Sequence, residues 1–169
     1  IGNELVINGN FSQGKDVGYV TDYPYVTSTA NSPTYTISTN GQTAHNNFWG
    51  KDHTTGTGNF MIVNSEGSNY RVWETTVKVD SGARYYFSAW AMSLNAAGPY
   101  AKLVFNVDGQ NVGSVAVLDT GMQNNSNNGW TKFYGQWDAG YRDGTNDSVV
   151  IRMVNLQGAN PGNDFGLDD

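Results

Sequence analysis

The chain has 169 residues, long enough to bury a core of its own, and a formal net charge of −6 that repels phosphate backbones and argues against a nucleic-acid partner. It contains no cysteine, which excludes disulfides, thiol catalysis and Cys-ligated metals, and no apolar run long enough to insert in a bilayer. Charged residues are scarce at 14%, and polarity comes instead from Asn, Ser, Thr and 21 glycines, residues that suit turns between short strands and suit helices badly.

Apolar and polar residues alternate with period two along the whole chain, and no window sustains a helical period. Glu4–Asn8 reads as a first strand, with Leu5 and Ile7 on one face. Thr34–Ser38 reads as a second, and the region from Gly14 to Thr57 around it as long loops packed on Tyr23, Tyr25, Phe48 and Trp49. Asn59–Asn64 is a continuous apolar run, the pattern of a strand buried on both faces. Tyr70–Val79 and Arg84–Met92 follow, joined by a turn at Ser81-Gly82. Ala101–Val107 and Asn111–Leu118 flank Asp108-Gly109, a pair suited to a type I′ hairpin turn. The Asn-rich stretch Asp119–Gly129 reads as a loop, Trp130–Trp137 and Ser148–Leu156 as strands, and Phe165–Asp169 as a closing strand that looks cut short. About ten short strands separated by turn signals predict an all-β sandwich of two antiparallel sheets, without a linker or second domain between residues 1 and 169.

Strand parity sorts the side chains. If Tyr85 and Phe87 face the core, Tyr86 and Trp90 face away; Glu74, Gln136 and Arg152 fall on outward positions of their own strands. One outer face carrying Glu74, Tyr86, Trp90, Gln136 and Arg152 would join aromatic rings, which stack on the C–H faces of sugars, to planar polar groups that hydrogen-bond their hydroxyls. A second candidate edge lies in the loops, at Tyr23, Tyr25, Asn47, Trp49 and His53. Against each aromatic stands the ordinary alternative of core packing.

An enzyme needs a constellation that this sequence does not show. There is no nucleophile elbow, no His-Glu-x-x-His, and only three glutamates, Glu4, Glu66 and Glu74. Asp52-His53 reads as a loop whose polar side chains bind backbone, and the two histidines have no zinc-site spacing.

Three stretches, in order, carry a resemblance. Leu5-Val6-Ile7-Asn8-Gly9-Asn10-Phe11-Ser12, the hairpin Val77–Trp90 with Tyr-x-Phe-Ser-Ala-Trp, and Phe165-Gly166-Leu167-Asp168-Asp169 together resemble the jelly-roll carbohydrate-binding modules found beside bacterial xylanases and glucanases. The stretch Asp52–Asn59 also resembles a version of this domain in secreted bacterial surface and adhesin-like proteins. The resemblance implies a jelly roll, and a structural Ca²⁺ tying the first strand, a mid-chain strand start and the last strand together. By position its ligands would be Asn10, Ser12, Thr57, Asn59 and Asp168; many relatives carry Glu where this chain has Ser12, so one carboxylate is missing.

The expectation is therefore a non-catalytic domain of a larger, secreted or cell-surface bacterial protein that binds polysaccharide or glycan. The alternative is a structural or adhesive spacer that binds no sugar.

Overall fold

The structure is a computed structural model that describes residues 3–119, 129–144, 147–158 and 162–169. Among the described residues nine strands form: β1 (Thr34–Ser38), β2 (Phe60–Asn64), β3 (Tyr70–Lys78), β4 (Arg84–Ser93), β5 (Lys102–Val107), β6 (Gln110–Val117), β7 (Thr131–Asp138), β8 (Ser148–Asn155) and β9 (Phe165–Asp168). They form two antiparallel sheets, one in the order β1-β2-β9-β4-β7 and the other β3-β8-β5-β6. This is the expected all-β sandwich, a jelly roll, with nine of the expected strands. The anticipated loop at residues 120–128 lies outside the described residues.

The tenth, Glu4–Asn8, is not a strand. A strand needs a neighbour to receive its backbone groups. Here Val6 gives its N–H to the Glu4 carboxylate instead, and Leu5 and Ile7 stand 40% and 60% exposed. The segment ends in a turn, where Asn8 takes a positive φ of 60° and its side chain ties Gln13, Gly14 and Val17 together.

The main core lies between the sheets. Trp73, Phe105, Ile151 and Met153 from one sheet meet Phe133, Phe165 and Leu167 from the other, and Phe105 stacks on Phe133 at 4.8 Å between ring centroids. Each such side chain contributes about 1.5–3 kcal/mol when removed from water. A second, smaller core covers part of the outer face of the five-stranded sheet. There Phe60, Ile62, Met92 and Leu94 pack under Ala44, Phe48 and Trp130. β2 is therefore sandwiched on both sides, the reason its sequence is a continuous apolar run and not an alternating one. A four-residue helix α1 (Gly41–Ala44), capped by the Asn40 side chain, anchors this cover. Gly41 is required there, because a Cβ would lie 2.1 Å from the Trp49 carbonyl oxygen.

Asp108 and Gly109 both take positive φ, 47° and 86°, as a type I′ turn between β5 and β6 demands. Gly113 lets β6 approach β7 closely: its φ is +78°, and a Cβ would lie 2.6 Å from the Tyr134 carbonyl oxygen.

Candidate functional site

The outward parity of β4 and β7 leaves an open surface on the half of the five-stranded sheet that the second core does not cover. Tyr86 pairs with Gln136, Ser88 with Tyr134 and Trp90 with Lys132. Tyr86 and Tyr134 are therefore diagonal neighbours on one face, within reach of each other. Both rings stand in solvent, 74% and 69% exposed. Two exposed phenols with a planar amide and a hydroxyl between them can stack on a sugar ring and hydrogen-bond its edge. The Arg84–Asp138 ion pair, 2.6 Å long, closes the far end of this platform and holds the Asp138 carboxyl below its ordinary pKa.

At the near end Trp90 is half-buried, not free. His53 stacks on its indole, and the Lys132 ammonium sits 5.7 Å from its ring centroid. Trp90 also packs on the second core, so it belongs partly to the platform and partly to the cover.

The proposed single groove does not form. Glu74 and Arg152 face each other across β3 and β8, on the outer face of the other sheet, whereas Tyr86, Trp90 and Gln136 lie on β4 and β7. The whole sandwich separates the two groups. Parity tells which side chains avoid the core, but a sandwich has two outer faces. Glu74 instead forms ion pairs with Arg152 and with Arg71, which also holds Asp22 at 2.7 Å.

The loop candidates also separate. Tyr23 is 2% exposed, and its hydroxyl shares a hydrogen bond with Ser65 at 2.8 Å. Burial pushes that phenol up to about 12. Tyr23 is a core residue, which corrects its place among the surface candidates: an aromatic in a loop sequence carries no parity to reveal its direction. Tyr25 is 37% exposed and lies under the Lys15 ammonium at 4.8 Å. Asn47 is exposed, and Trp49 is half-buried against the second core with no partner for its indole N–H among the described residues. Tyr134, two residues before Gln136 on the same face of β7, belongs to this surface although it is not among the candidates above; the alternation of Trp130–Trp137 is the signal that finds it.

A cavity of about 560 Å³ opens beside β4. It is lined by the outward-facing Tyr86, Ser88 and Lys132, by the core residues Trp73, Phe105 and Ile151, and by Asn10, Asp168 and Asp169. Asp168 is buried at 2% exposure and accepts N–H bonds from His53 at 2.8 Å and Asp169 at 3.1 Å. Burial first, then the nearby Asp169 and Asp52 carboxylates, push its pKa up to about 7, against the two N–H bonds that lower it. Asp52 organises the neighbouring loop: its carboxylate accepts from the N–H and hydroxyl of Thr55 and from the Gly58 N–H.

Of the other expected metal ligands, Asn10 lines the same cavity as Asp168. Asn10 accepts from the Ser12 N–H at 3.2 Å, and Asn59 donates its amide to the Phe11 carbonyl at 3.4 Å. Thr57 is exposed and gives its N–H to the Thr55 hydroxyl. Among the described residues no three His, Asp or Glu side chains converge as a metal-holding group. The Asp52 and Asp169 carboxylates lie near Asp168, and Asn10 lines the same cavity; carboxylate and amide oxygens are the donors a hard cation prefers.

No family model matches the sequence, and no curated protein matches it. Solved structures do match in fold. The chain is similar to the N-terminal CBM22-1–CBM22-2 tandem domain of Paenibacillus barcinonensis Xyn10C, with a TM-score of 0.60 and 12% identity over 99% of this chain, which spans 44% of that longer one. It is similar to TmCBM61 in complex with β-1,4-galactotriose, with a TM-score of 0.57, 10% identity and coverage of 99% and 96% of the two chains. It is also similar to the Stig cyclase Fisc of Fischerella sp. TAU, with a TM-score of 0.59, 10% identity and coverage of 96% and 92%. The chain thus has the fold of a jelly-roll carbohydrate-binding module. The cyclase shows that this fold also serves other ends, so function has to be argued from the site.

Proposed function

We propose that this chain is a non-catalytic carbohydrate-binding domain that holds polysaccharide against the Tyr86–Tyr134 platform. The observation that carries the reading is the pair of exposed tyrosines at diagonal positions on the outer face of β4 and β7, with Ser88, Gln136 and Lys132 as polar neighbours in the register. The TmCBM61 structure, solved with a β-1,4-linked galactose trimer, supports the choice of β-linked polysaccharides as first ligands to test. The domain would serve within a larger secreted or cell-surface bacterial protein, attaching it to its polysaccharide; no helix among the described residues is long and apolar enough to cross a membrane.

Affinity electrophoresis of the purified domain through gels containing soluble β-1,4-galactan, xylan or mixed-linkage glucan tests this. Retardation in at least one gel, reversed by free oligosaccharide, is the expected result. Unretarded migration across a broad glycan panel would leave the spacer reading in its place.

We also propose a structural Ca²⁺ at the Asp168 corner. Asp168 would supply the carboxylate, with Asn10, Ser12, Thr57 and Asn59 offering amide, hydroxyl or backbone oxygens. The support is chemical: a buried carboxylate with two acidic neighbours, where a cation would relieve the repulsion. When bound, the ion would supply a positive charge that clips the N-terminal turn to the end of β9.

A further inference from the structure

The arginines of this chain are all held in ion pairs: Arg71 with Asp22 and Glu74, Arg84 with Asp138, Arg142 with Asp108, and Arg152 with Glu74. Lys132 is in none among the described residues, although the chain carries a net charge of −6. Glu4, Asp168 and Asp169 line the same cavity as Lys132, yet each carboxylate is engaged elsewhere. Glu4 takes the Val6 N–H, Asp168 takes the N–H groups of His53 and Asp169, and Asp169 meets the Thr54 hydroxyl and the His53 ring. On the outward strip of β4 and β7, Arg84 and Asp138 cancel, which leaves the Lys132 charge uncompensated.

That charge has a fixed place. Lys132 is exposed and lies opposite Trp90 in the register, with its ammonium 5.7 Å from the centroid of the indole. The cation–π contact restrains a side chain that is otherwise a flexible point charge in water. Tyr134 stands two residues further along the same face, about 7 Å away along the strand. A sugar stacked on Tyr134 therefore brings a substituent at its ring edge within reach of the ammonium. A neutral hydroxyl gains little there, because water serves the lysine equally well. A carboxylate gains a charge-assisted hydrogen bond, about twice as strong as a neutral one.

We propose that the β4–β7 platform selects polysaccharide that carries uronic acids, with Lys132 reading the carboxylate of a sugar stacked on Tyr134. The inference rests on the platform reading above and names its substrate class.

The probes are β-1,4-galactan and mixed-linkage glucan, each untreated and after partial oxidation of its primary alcohols to carboxylates, and xylan with and without glucuronic acid side groups. Affinity electrophoresis compares the native domain with Lys132→Gln, Lys132→Arg and Lys78→Gln, the last an equal change of net charge at an exposed position on the other sheet. Setting each variant's loss on the acidic form against its loss on the neutral form cancels the general repulsion between a negative domain and a negative polymer. Lys132→Gln is expected to weaken retention by the acidic form about fivefold more than by its neutral partner. Lys132→Arg should keep the preference, and about 1 M NaCl should erase it. Equal losses on both forms, retention of the native domain by neutral polymers alone, or the same selective loss in Lys78→Gln would overturn the proposal and leave the platform standing. Retention of the native domain by none of the six polymers would overturn the proposal and the platform reading together.

Discussion

The imidazole of His53 lies flat on the indole of Trp90, with ring centroids 3.8 Å apart and planes inclined by 16°. His53 comes from the loop that Asp52 ties down, and Trp90 from the middle of β4. The stack therefore fastens the loop cover to the sheet and hides one face of the ring. Replacing Trp90 with Ala is expected to cost about 2–4 kcal/mol, read as a fall in Tm and in the denaturation midpoint. His53→Ala should cost about 0.5–1.5 kcal/mol and shift tryptophan emission to the red as Trp90 meets water. A Trp90→Ala domain that melts like the wild type but loses polysaccharide binding would return the ring to the recognition surface.

Tyr86 and Tyr134 should behave the other way. Their rings stand in solvent, so Tyr86→Ala and Tyr134→Ala should change stability by less than about 0.5 kcal/mol. If they form the sugar platform, each should weaken polysaccharide retention by about tenfold, or ~1.4 kcal/mol. Isothermal titration with the retarding polysaccharide, set beside melting curves of the same variants, checks both halves. Unchanged affinity in the double variant would remove the platform from the binding reading.

Calcium makes a separate claim on the Asp168 corner. An ion that binds the folded chain alone stabilises it by RT ln(1 + [L]/Kd), about 2.7 kcal/mol at a hundredfold excess over Kd. Calcium should therefore raise Tm and EDTA should lower it, while magnesium, which demands tighter octahedral geometry, should do little. Asp168→Asn should abolish the calcium response while leaving a folded domain. Identical melting with calcium and with EDTA would show that the oxygens around Asp168 are no metal site.

Much of this is legible in the sequence alone, and the gaps have physical causes. Alternation located β3, β4, β7 and β8 and separated Tyr86 from Phe87, because a pleated strand obeys parity whatever its surroundings. The same alternation misled at Glu4–Asn8, since a strand pattern becomes a strand only where a neighbour accepts its hydrogen bonds. It also put Glu74 and Arg152 with Tyr86, because periodicity fixes a residue's face but not which sheet its strand joins. Tyr23 and Trp49 lie in loops, where no period exists to read.

The platform depends on a backbone contact invisible in composition. Gly113 lies so close to β7 that a Cβ would meet the Tyr134 carbonyl oxygen at 2.6 Å and the Gly135 Cα at 2.8 Å, and its φ of +78° disfavours any side chain. Gly113→Ala must either push β6 away from β7 or shift the segment that carries Tyr134. The expected cost is about 1–3 kcal/mol, together with weaker polysaccharide retention, although residue 113 is no part of the binding face. Unaltered Tm and retention in this variant would show that the edge of the sandwich yields freely.

Asn155 is the node that fastens the end of the sandwich opposite the hairpin. It is fully buried, and its amide donates to the Ser65 hydroxyl at 3.2 Å and to the Asn163 side chain at 2.9 Å. Its carbonyl oxygen accepts from the Lys102 N–H at 3.2 Å and the Gln157 N–H at 3.0 Å. Ser65 in turn meets the Tyr23 hydroxyl, so one side chain links β8, β5, the end of β2 and the Tyr23 loop. Asn155→Ala strands several buried polar groups at once, each costing about 1–3 kcal/mol when unpaired. Water entering the small void can recover part of that, so a net loss of about 3–4 kcal/mol is expected. Asn155→Asp should be no milder near neutral pH, because it places a carboxylate in a site that supplies no cation and turns two donors into acceptors facing Ser65 and Asn163. Chemical denaturation of both variants checks this. A loss below about 1 kcal/mol in Asn155→Ala would mean that the loops around residues 65, 102 and 157 hold without their shared amide.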